Sequence, residues 1–214
     1  MRFRLPSRLK GSGVSPETIE RLRGKIDRED LPRVPPGQFV TAGWPVLHYG
    51  EVPRFDPQTW DFKVWGLVEA PLRLDYAAFR ALPTTELVTD IHCVTRWSKL
   101  DQTWEGVSMR HILDLVKPKL EAKFVIAHSE HGFTANLPLE AVMDDDVLLA
   151  HRADGADLSA EHGWPLRLFV PKRYFWKSAK WLRGLELTAE DQPGFWEQNG
   201  YNNNADPWKE ERYW

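Results

Sequence analysis

Residues 163–187 read GWPLRLFVPKRYFWKSAKWLRGLEL, two apolar runs joined by a segment rich in cations and aromatic residues. The runs at 166–170 and 181–187 have the length and composition of short strands. Five cations follow the first of these runs: Lys172, Arg173, Lys177, Lys180 and Arg183. Cations and small residues beside a strand end can bind a phosphate or another anionic group, although a basic surface loop has the same composition.

Short strand patterns separated by turns continue upstream of this stretch. The further strand candidates are residues 60–66, 71–74, 86–92, 123–128 and 147–151. Helix candidates are short: Asp75 begins one that Pro83 stops, and Pro138 begins another. Ser108 is predicted to cap an amphipathic helix that Pro118 stops. Because strands dominate and the helices are interspersed, the sequence predicts an α+β fold with a mixed sheet or open barrel, not a doubly wound parallel sheet.

The 214 residues divide into a polar arm and one domain. Residues 1–37 are polar with scattered prolines, and they end in a Pro-Pro-Gly run that is typical of a boundary. Residues 38–214 form the predicted domain. Its tail after Pro193 is rich in Trp, Tyr and Asn, and we expect it to wrap back over the domain.

Composition limits the function classes. The chain is 42% hydrophobic and 28% charged, which fits an ordinary globular protein, and its net charge of −3 gives no basic footprint for nucleic acid. Gly-rich nucleotide motifs are absent from the sequence. No apolar run approaches the roughly 20 residues of a membrane-spanning helix. The basic residues 1–10 precede no apolar run, so we expect a cytoplasmic protein without a secretory signal.

Cys93 is the only cysteine, which excludes an internal disulfide and a zinc site built from several thiolates. From composition alone it is either a small core residue or a residue with a chemical role. His92 is a poor base for it, because neighbouring strand residues point to opposite faces. His128 and His131 lack a suitable carboxylate nearby, and residues 144–146 lack the spaced oxygens of a calcium loop, so solvated surface is the simpler interpretation of both.

Several motifs stand in a fixed order around Cys93. Residues 52–60 read VPRFDPQTW, residues 162–171 read HGWPLRLFVP, and a Lys-Trp pair follows at 180–181. This order resembles the molybdenum-cofactor domain of the sulfite oxidase family. That family has Val-Pro-x-x-Asp-Pro-x-x-Tyr, then a metal-ligating cysteine, then His-Gly-x-Pro-x-Arg-x-x-Val-Pro and Lys-Trp. The resemblance covers about residues 40–187.

The resemblance implies a molybdenum–molybdopterin cofactor (Mo-MPT) whose single protein ligand to the metal is a soft thiolate, here Cys93. The other cofactor-binding residues that it implies are His48, Tyr49, Ser129, His162, Arg167, Ser178, Ala179 and Lys180. The candidate catalytic residues are Cys93, Arg96, Trp104 and Tyr201. For Trp104, packing in the core is the open alternative.

The chain departs from sulfite oxidases where they bind the sulfite anion. Their sulfite-binding arginine falls at Leu47, and only Arg96 remains of an arginine pair that follows the metal ligand. One lost charge-assisted contact costs about 1.5–3 kcal/mol, roughly ten- to a hundredfold in affinity, which argues against sulfite. The run CVTRWS at 93–98 is more similar to the methionine-sulfoxide-reducing relatives.

The sequence therefore predicts a molybdenum–pterin oxidoreductase that performs two-electron oxygen-atom transfer on a small oxyanion or an S- or N-oxide. Because no haem domain is evident, we expect a separate electron-transfer partner or a soluble redox carrier. A non-catalytic module that binds or carries the molybdenum cofactor is the alternative. A third possibility is a structural β-rich domain with an inert Cys93.

Overall fold

The computed structural model describes residues 31–214, and residues 1–30 of the predicted N-terminal arm lie outside this range. The strands are β1 (Phe39–Val40), β2 (Asp61–Gly66), β3 (Leu72–Asp75), β4 (Thr85–His92), β5 (Trp97–Ser108), β6 (Phe124–Ser129), β7 (Thr134–Pro138), β8 (Leu148–Ala153), β9 (Ala156–Asp157), β10 (Arg167–Phe169) and β11 (Leu182–Thr188). The α-helices are α1 (Tyr76–Arg80), α2 (Met109–Val116), α3 (Leu139–Val142) and α4 (Phe195–Gln198). The α+β class with short helices is thereby confirmed.

The strands form two mixed sheets. The first has the order β1-β5-β8-β10, with β4 also paired to β5 and β9 to β8. The second has the order β3-β2-β11-β6-β7. Each sheet contains one parallel pair, β1 with β5 and β2 with β11, and its other pairs are antiparallel. The predicted mixed sheet is confirmed as two such sheets.

Strand β5 is the longest strand, and the sequence patterns do not predict it. Its buried positions include Ser98 and Gln102, which break the apolar alternation expected of a strand. Both side chains form hydrogen bonds: Ser98 Oγ lies 2.8 Å from His92 Nδ1, and Gln102 Nε2 donates to Asp154 Oδ2 at 3.2 Å, while Gln102 Oε1 is buried without a partner. Pairing with three neighbouring strands thus determines β5 more strongly than its own residue pattern.

The short helices follow their predicted starts with one difference. Asp75 accepts a hydrogen bond from the Ala78 amide at 2.8 Å, as a helix cap should. Ser108 occupies the cap position of α2, but its side chain makes no capping bond, so that part of the prediction is wrong. Helix α2 is held by its buried face instead, which consists of Met109, Ile112, Leu113 and Val116.

Two apolar clusters form the core. The larger one packs the second sheet against α1, α2 and α3. The smaller one surrounds Cys93 and is mostly aromatic; among its buried members are Trp97, Trp104, Phe169, Tyr174 and Trp176. The tail packs on this second cluster: Ala205 is one of its buried members, Trp196 and Tyr201 pack against it, and the Tyr174 amide donates to the Ala205 carbonyl at 2.8 Å. The second cluster therefore determines where a site around Cys93 can lie.

Candidate functional site

A cavity of about 490 Å³ lies where six segments meet. They are the segment between β1 and β2, the β4–β5 loop with the start of β5, the β6–β7 turn, the segment between β9 and β10, strand β10 with the residues that lead to β11, and helix α4 with the residues after it. Nine residues of the predicted site line it: His48, Tyr49, Cys93, His162, Arg167, Ser178, Ala179, Lys180 and Tyr201. A volume of this size suits an organic cofactor or a small substrate.

Cys93 comes directly after β4, and among residues 31–214 it contributes the one sulfur on the cavity wall. A tight turn holds it, because its amide donates to the Trp97 carbonyl and its carbonyl accepts from the Arg96 amide, both at 2.9 Å. The Thr95 hydroxyl donates to Cys93 Sγ at 3.1 Å. Burial raises the pKa of the thiol, and the hydrogen bonds from Thr95 oppose that rise. The sulfur is therefore sheltered, positioned and available to a soft metal ion.

Arg167 begins β10 and lies on the same cavity wall as a buried guanidinium. Its Nη1 donates to the His162 carbonyl at 2.8 Å and its Nη2 to the Ser178 carbonyl at 2.7 Å. Phe175 stacks on it, with its ring centroid 4.1 Å from Cζ. Burial lowers the pKa of Arg167 to about 9, and its Nε is buried without a hydrogen-bond partner. The group therefore stays charged at neutral pH, and its Nε–H is a donor without a partner.

His162 contributes a neutral imidazole. Its ring stacks on Trp44 with centroids 3.8 Å apart, and its Nδ1 lies 2.9 Å from Ser159 Oγ. Burial, followed by the charges of Arg167 and Lys180, lowers the pKa of His162 to about 4. Its Nε2 is buried without a hydrogen-bond partner. Because buried polar atoms are normally hydrogen-bonded, this nitrogen fits a ligand in the cavity.

Lys180 is the second lysine or arginine of the cavity wall. Its Nζ donates to the Glu161 carbonyl oxygen at 2.6 Å. Burial, followed by the charge of Arg167, lowers the pKa of Lys180 to about 7. Among the described residues the side-chain hydrogen bonds of Lys180 and Arg167 go to backbone carbonyls and not to carboxylates. An anionic group in the cavity would supply a counter-charge to these two side chains.

Three predicted residues do not line the cavity. Trp104 is fully buried and stacks on Phe169 at 4.0 Å between centroids, so it packs in the core, as the alternative interpretation had it. Arg96 is exposed in the turn after Cys93, where its φ of 78° allows the chain to reverse. Ser129 ends β6, and its hydroxyl is buried without a hydrogen-bond partner. Nearness to the other site residues along the chain therefore does not ensure that a side chain faces the cavity.

Sequence reasoning missed most of the aromatic wall of the cavity. Tyr49 packs on Phe195 at 4.8 Å and Trp196 packs on Tyr201 at 4.8 Å between ring centroids. Trp176 meets Tyr201 edge to face at 5.0 Å. Burial raises the pKa of Tyr201 well above its usual value, so its phenol stays protonated. The signal that could have revealed this wall is the high tryptophan content, together with the aromatic run at 195–201.

Cys93 and the donors around Arg167 together match one kind of ligand. A single thiolate suits a soft metal, and unpaired cationic and imidazole groups suit an anionic organic carrier of that metal. In the described residues no group of three or more His, Cys, Asp or Glu could bind a metal ion by itself. A metal bound to Cys93 would take its other ligands from the cofactor that carries it, as in molybdopterin oxidoreductases.

Comparison with known proteins agrees with this class. A family model described as the oxidoreductase molybdopterin binding domain matches residues 49–196, and the chain belongs to this family. It is 49% identical over 192 residues to the uncharacterized oxidoreductase YuiH of Bacillus subtilis, which covers 89% of this chain and 97% of that protein. The chain is therefore an oxidoreductase whose cofactor is Mo-MPT.

More distant relatives carry specific names. The chain is 27% identical over 176 residues to the protein-methionine-sulfoxide reductase catalytic subunit MsrP of Campylobacter jejuni, covering 72% of this chain and 59% of that protein. It is 28% identical over 190 residues to sulfite oxidase of Arabidopsis thaliana, covering 72% of this chain and 48% of that enzyme. The crystal structure of the sulfane dehydrogenase SoxCD from Paracoccus pantotrophus shares the fold. Its TM-score is 0.62 at 21% identity, over 89% of this chain and 57% of that one.

Helices long and apolar enough to cross a bilayer do not occur among residues 31–214.

Proposed function

We propose that the chain catalyses two-electron oxygen-atom transfer between Mo-MPT and an organic S- or N-oxide, with Cys93 as the protein ligand of the metal. The observation that carries this proposal is the shared cavity. The only cysteine and the unpaired donors of Arg167 and His162 line one space of about 490 Å³. When bound, the cofactor supplies a metal that exchanges an oxygen atom and two electrons with the substrate.

The residues on the Arg167 side of the cavity hold the organic part of the cofactor. Arg167 and Lys180 supply positive charge without a competing carboxylate, which suits a phosphate. His162 is neutral at pH 7 and offers Nε2 as a donor or acceptor, according to its tautomer. Ser178 Oγ accepts the Val170 amide at 2.9 Å and keeps its own proton for a ligand. These groups bind and orient the cofactor relative to Cys93.

The rest of the wall indicates the kind of substrate. Apart from Arg167 and Lys180, no lysine or arginine lines the cavity among the described residues. The residues nearest the tail are aromatic: Tyr49, Trp176, Phe195, Trp196 and Tyr201. An inorganic oxyanion would lose its hydration there without gaining a cation, whereas the apolar groups of an S- or N-oxide would pack on the rings. We therefore favour the organic oxide over sulfite or another oxyanion.

We further propose a separate electron-transfer partner or soluble carrier. In residues 31–214 no group of three or more His, Cys, Asp or Glu could hold a further metal ion. The relative MsrP is named a catalytic subunit, which is consistent with electrons that come from another polypeptide.

The test combines metal analysis with turnover. Protein made in a molybdate-fed host should contain about one molybdenum per chain, and it should oxidise a reduced dye with sulfoxides or N-oxides in preference to nitrate. Cys93→Ser should keep the fold and the pterin but abolish turnover and the thiolate-to-metal absorption. Turnover by a molybdenum-free preparation would refute the proposal. Molybdenum binding without turnover on any oxide would indicate a carrier module instead.

A further inference from the structure

The loop after β4 is fixed from two sides. On one side Gln38 Nε2 donates to the Cys93 carbonyl at 3.0 Å, and the Phe39 amide donates to the Arg96 carbonyl at 2.8 Å. These bonds join the loop to the start of β1. Because both ends of the turn are held, Cys93 cannot shift along the cavity wall without breaking backbone bonds.

The tail fixes the loop from the other side. Arg212 is buried, and its Nη1 donates to the Val94 carbonyl at 3.0 Å. Its Nη2 reaches the Pro36 carbonyl at 3.3 Å, and its guanidinium lies over the Tyr174 ring at 4.8 Å. One buried cation from the end of the chain thus braces the backbone next to the metal-ligating sulfur.

Thr95 lies within this braced turn, on the cavity wall. Its hydroxyl donates to Cys93 Sγ at 3.1 Å. Because this hydrogen bond comes from the side chain, a substitution at position 95 can remove it while the backbone bonds that hold the turn stay in place.

We propose that Thr95 is a positioning residue that orients the Cys93 sulfur and withdraws electron density from it through the hydroxyl hydrogen bond. Donors to a ligating sulfur make it a weaker electron donor to its metal, which raises the reduction potential of that metal. Thr95 thus sets how readily the metal accepts electrons. This inference rests on the proposed role of Cys93 as the metal ligand.

Two matched substitutions test it. Thr95→Val keeps the shape of the side chain without the hydroxyl, and Thr95→Ser keeps the hydroxyl. In the molybdenum-loaded protein, a potentiometric titration followed by Mo(V) electron paramagnetic resonance should give a lower potential for Thr95→Val. The potential of Thr95→Ser should return most of the way to that of the parent. Thr103→Val, on β5 and away from the cavity wall, should leave the potential unchanged.

A second readout separates this inference from the proposed function. The cofactor-free protein has a single thiol, so its S–H stretching band in the Raman spectrum belongs to Cys93 alone. That band should shift in Thr95→Val and recover in Thr95→Ser, whether or not the protein binds molybdenum. A shifted band with an unchanged potential would overturn the inference while the proposed function stands. A band that does not move would overturn the hydrogen bond itself, and a protein that never binds molybdenum would defeat the proposed function first.

Discussion

Lys177 Nζ lies 2.7 Å from Glu197 Oε1, and both side chains are completely buried. The Lys177 ammonium also donates to the carbonyl and Oδ1 of Asn136, and Trp176 Nε1 donates to the same Glu197 oxygen at 2.8 Å. This pair ties helix α4 to the turn between β10 and β11. Two sides of the cavity, more than 15 residues apart along the chain, are thereby fixed to each other.

Glu197→Gln should therefore destabilise the fold. The change leaves the Lys177 ammonium buried without its counter-charge, and breaking one half of a buried pair costs about 3–5 kcal/mol. Chemical denaturation followed by tryptophan fluorescence measures the change in free energy of unfolding. Asp144→Asn is the control, since the Lys172–Asp144 pair is exposed and such pairs contribute about 0–1 kcal/mol. Equal losses in the two variants would show that burial of the Lys177–Glu197 pair is unimportant.

Arg167→Lys should weaken retention of the cofactor. Lysine keeps the charge but lacks the planar fork that reaches the His162 and Ser178 carbonyls together. Loss of one charge-assisted bond costs about 1.5–3 kcal/mol, roughly ten- to a hundredfold in affinity. Pterin and molybdenum content after dialysis measure retention, with the exposed Arg110→Lys as control. If Arg167→Lys kept its full cofactor content, Arg167 would not be a determinant of cofactor binding.

The motif around Arg167 shows what the sequence could predict. The cysteine and the segment from His162 to Lys180 stand out because their chemistry depends on residue type and local order, and the structure brings them to one cavity. The contact of Tyr49 with Phe195 joins residues far apart in sequence, so no local pattern encodes it. Strand β5 was missed for a related reason: its buried polar residues find partners only after the sheet has formed.

Three predicted site residues lie outside the cavity wall, and their places in the fold explain why. Ser129, Arg96 and Trp104 were chosen by resemblance or by nearness to Cys93. Ser129 and Trp104 lie on strands, where neighbouring residues alternate between faces, so a shift of one position moves a side chain away from the cavity. Arg96 lies in the turn between β4 and β5. In this chain Trp104 lies in the core, while Arg96 lies in solvent.

The stability of the cofactor-free protein should depend on pH through Lys180. Burial, with the charge of Arg167, lowers the pKa of Lys180 from 10.5 to about 7, so the unfolded chain binds more protons than the folded one between those values. The free energy of unfolding therefore rises with pH across this window. Urea unfolding should give a larger free energy of unfolding at pH 9 than at pH 7 for the parent protein, and Lys180→Met should not show this increase. A bound anionic cofactor should reduce the gain by keeping Lys180 charged, and identical profiles for parent and Lys180→Met would contradict the shift.

The aromatic wall should control the choice of organic substrate. Trp196 packs between Phe195 at 5.1 Å and Tyr201 at 4.8 Å, and all three line the cavity. Trp196→Ala should raise KM more for sulfoxides with large apolar groups than for dimethyl sulfoxide, because only the large groups reach the lost ring. Steady-state dye assays with a large sulfoxide and with dimethyl sulfoxide measure the ratio of the two KM values. A uniform rise in KM would point to disturbed packing of the tail instead.

Leu47→Arg should move the specificity toward oxyanions. Leu47 lines the cavity, which has no lysine or arginine outside the pair Arg167 and Lys180 among the described residues, so a guanidinium at position 47 would add the missing cation. A charge-assisted contact of about 1.5–3 kcal/mol should lower KM for sulfite or nitrate roughly ten- to a hundredfold. Leu47→Met is the matched control, since it changes shape without adding charge. Because an organic oxide needs no cation, its KM should fall in neither variant. The contrary result would be that Leu47→Arg leaves KM for every oxyanion unchanged while the protein keeps its molybdenum. The lack of positive charge on this wall would then not be what excludes oxyanions. The preference for organic oxides would have to be given up.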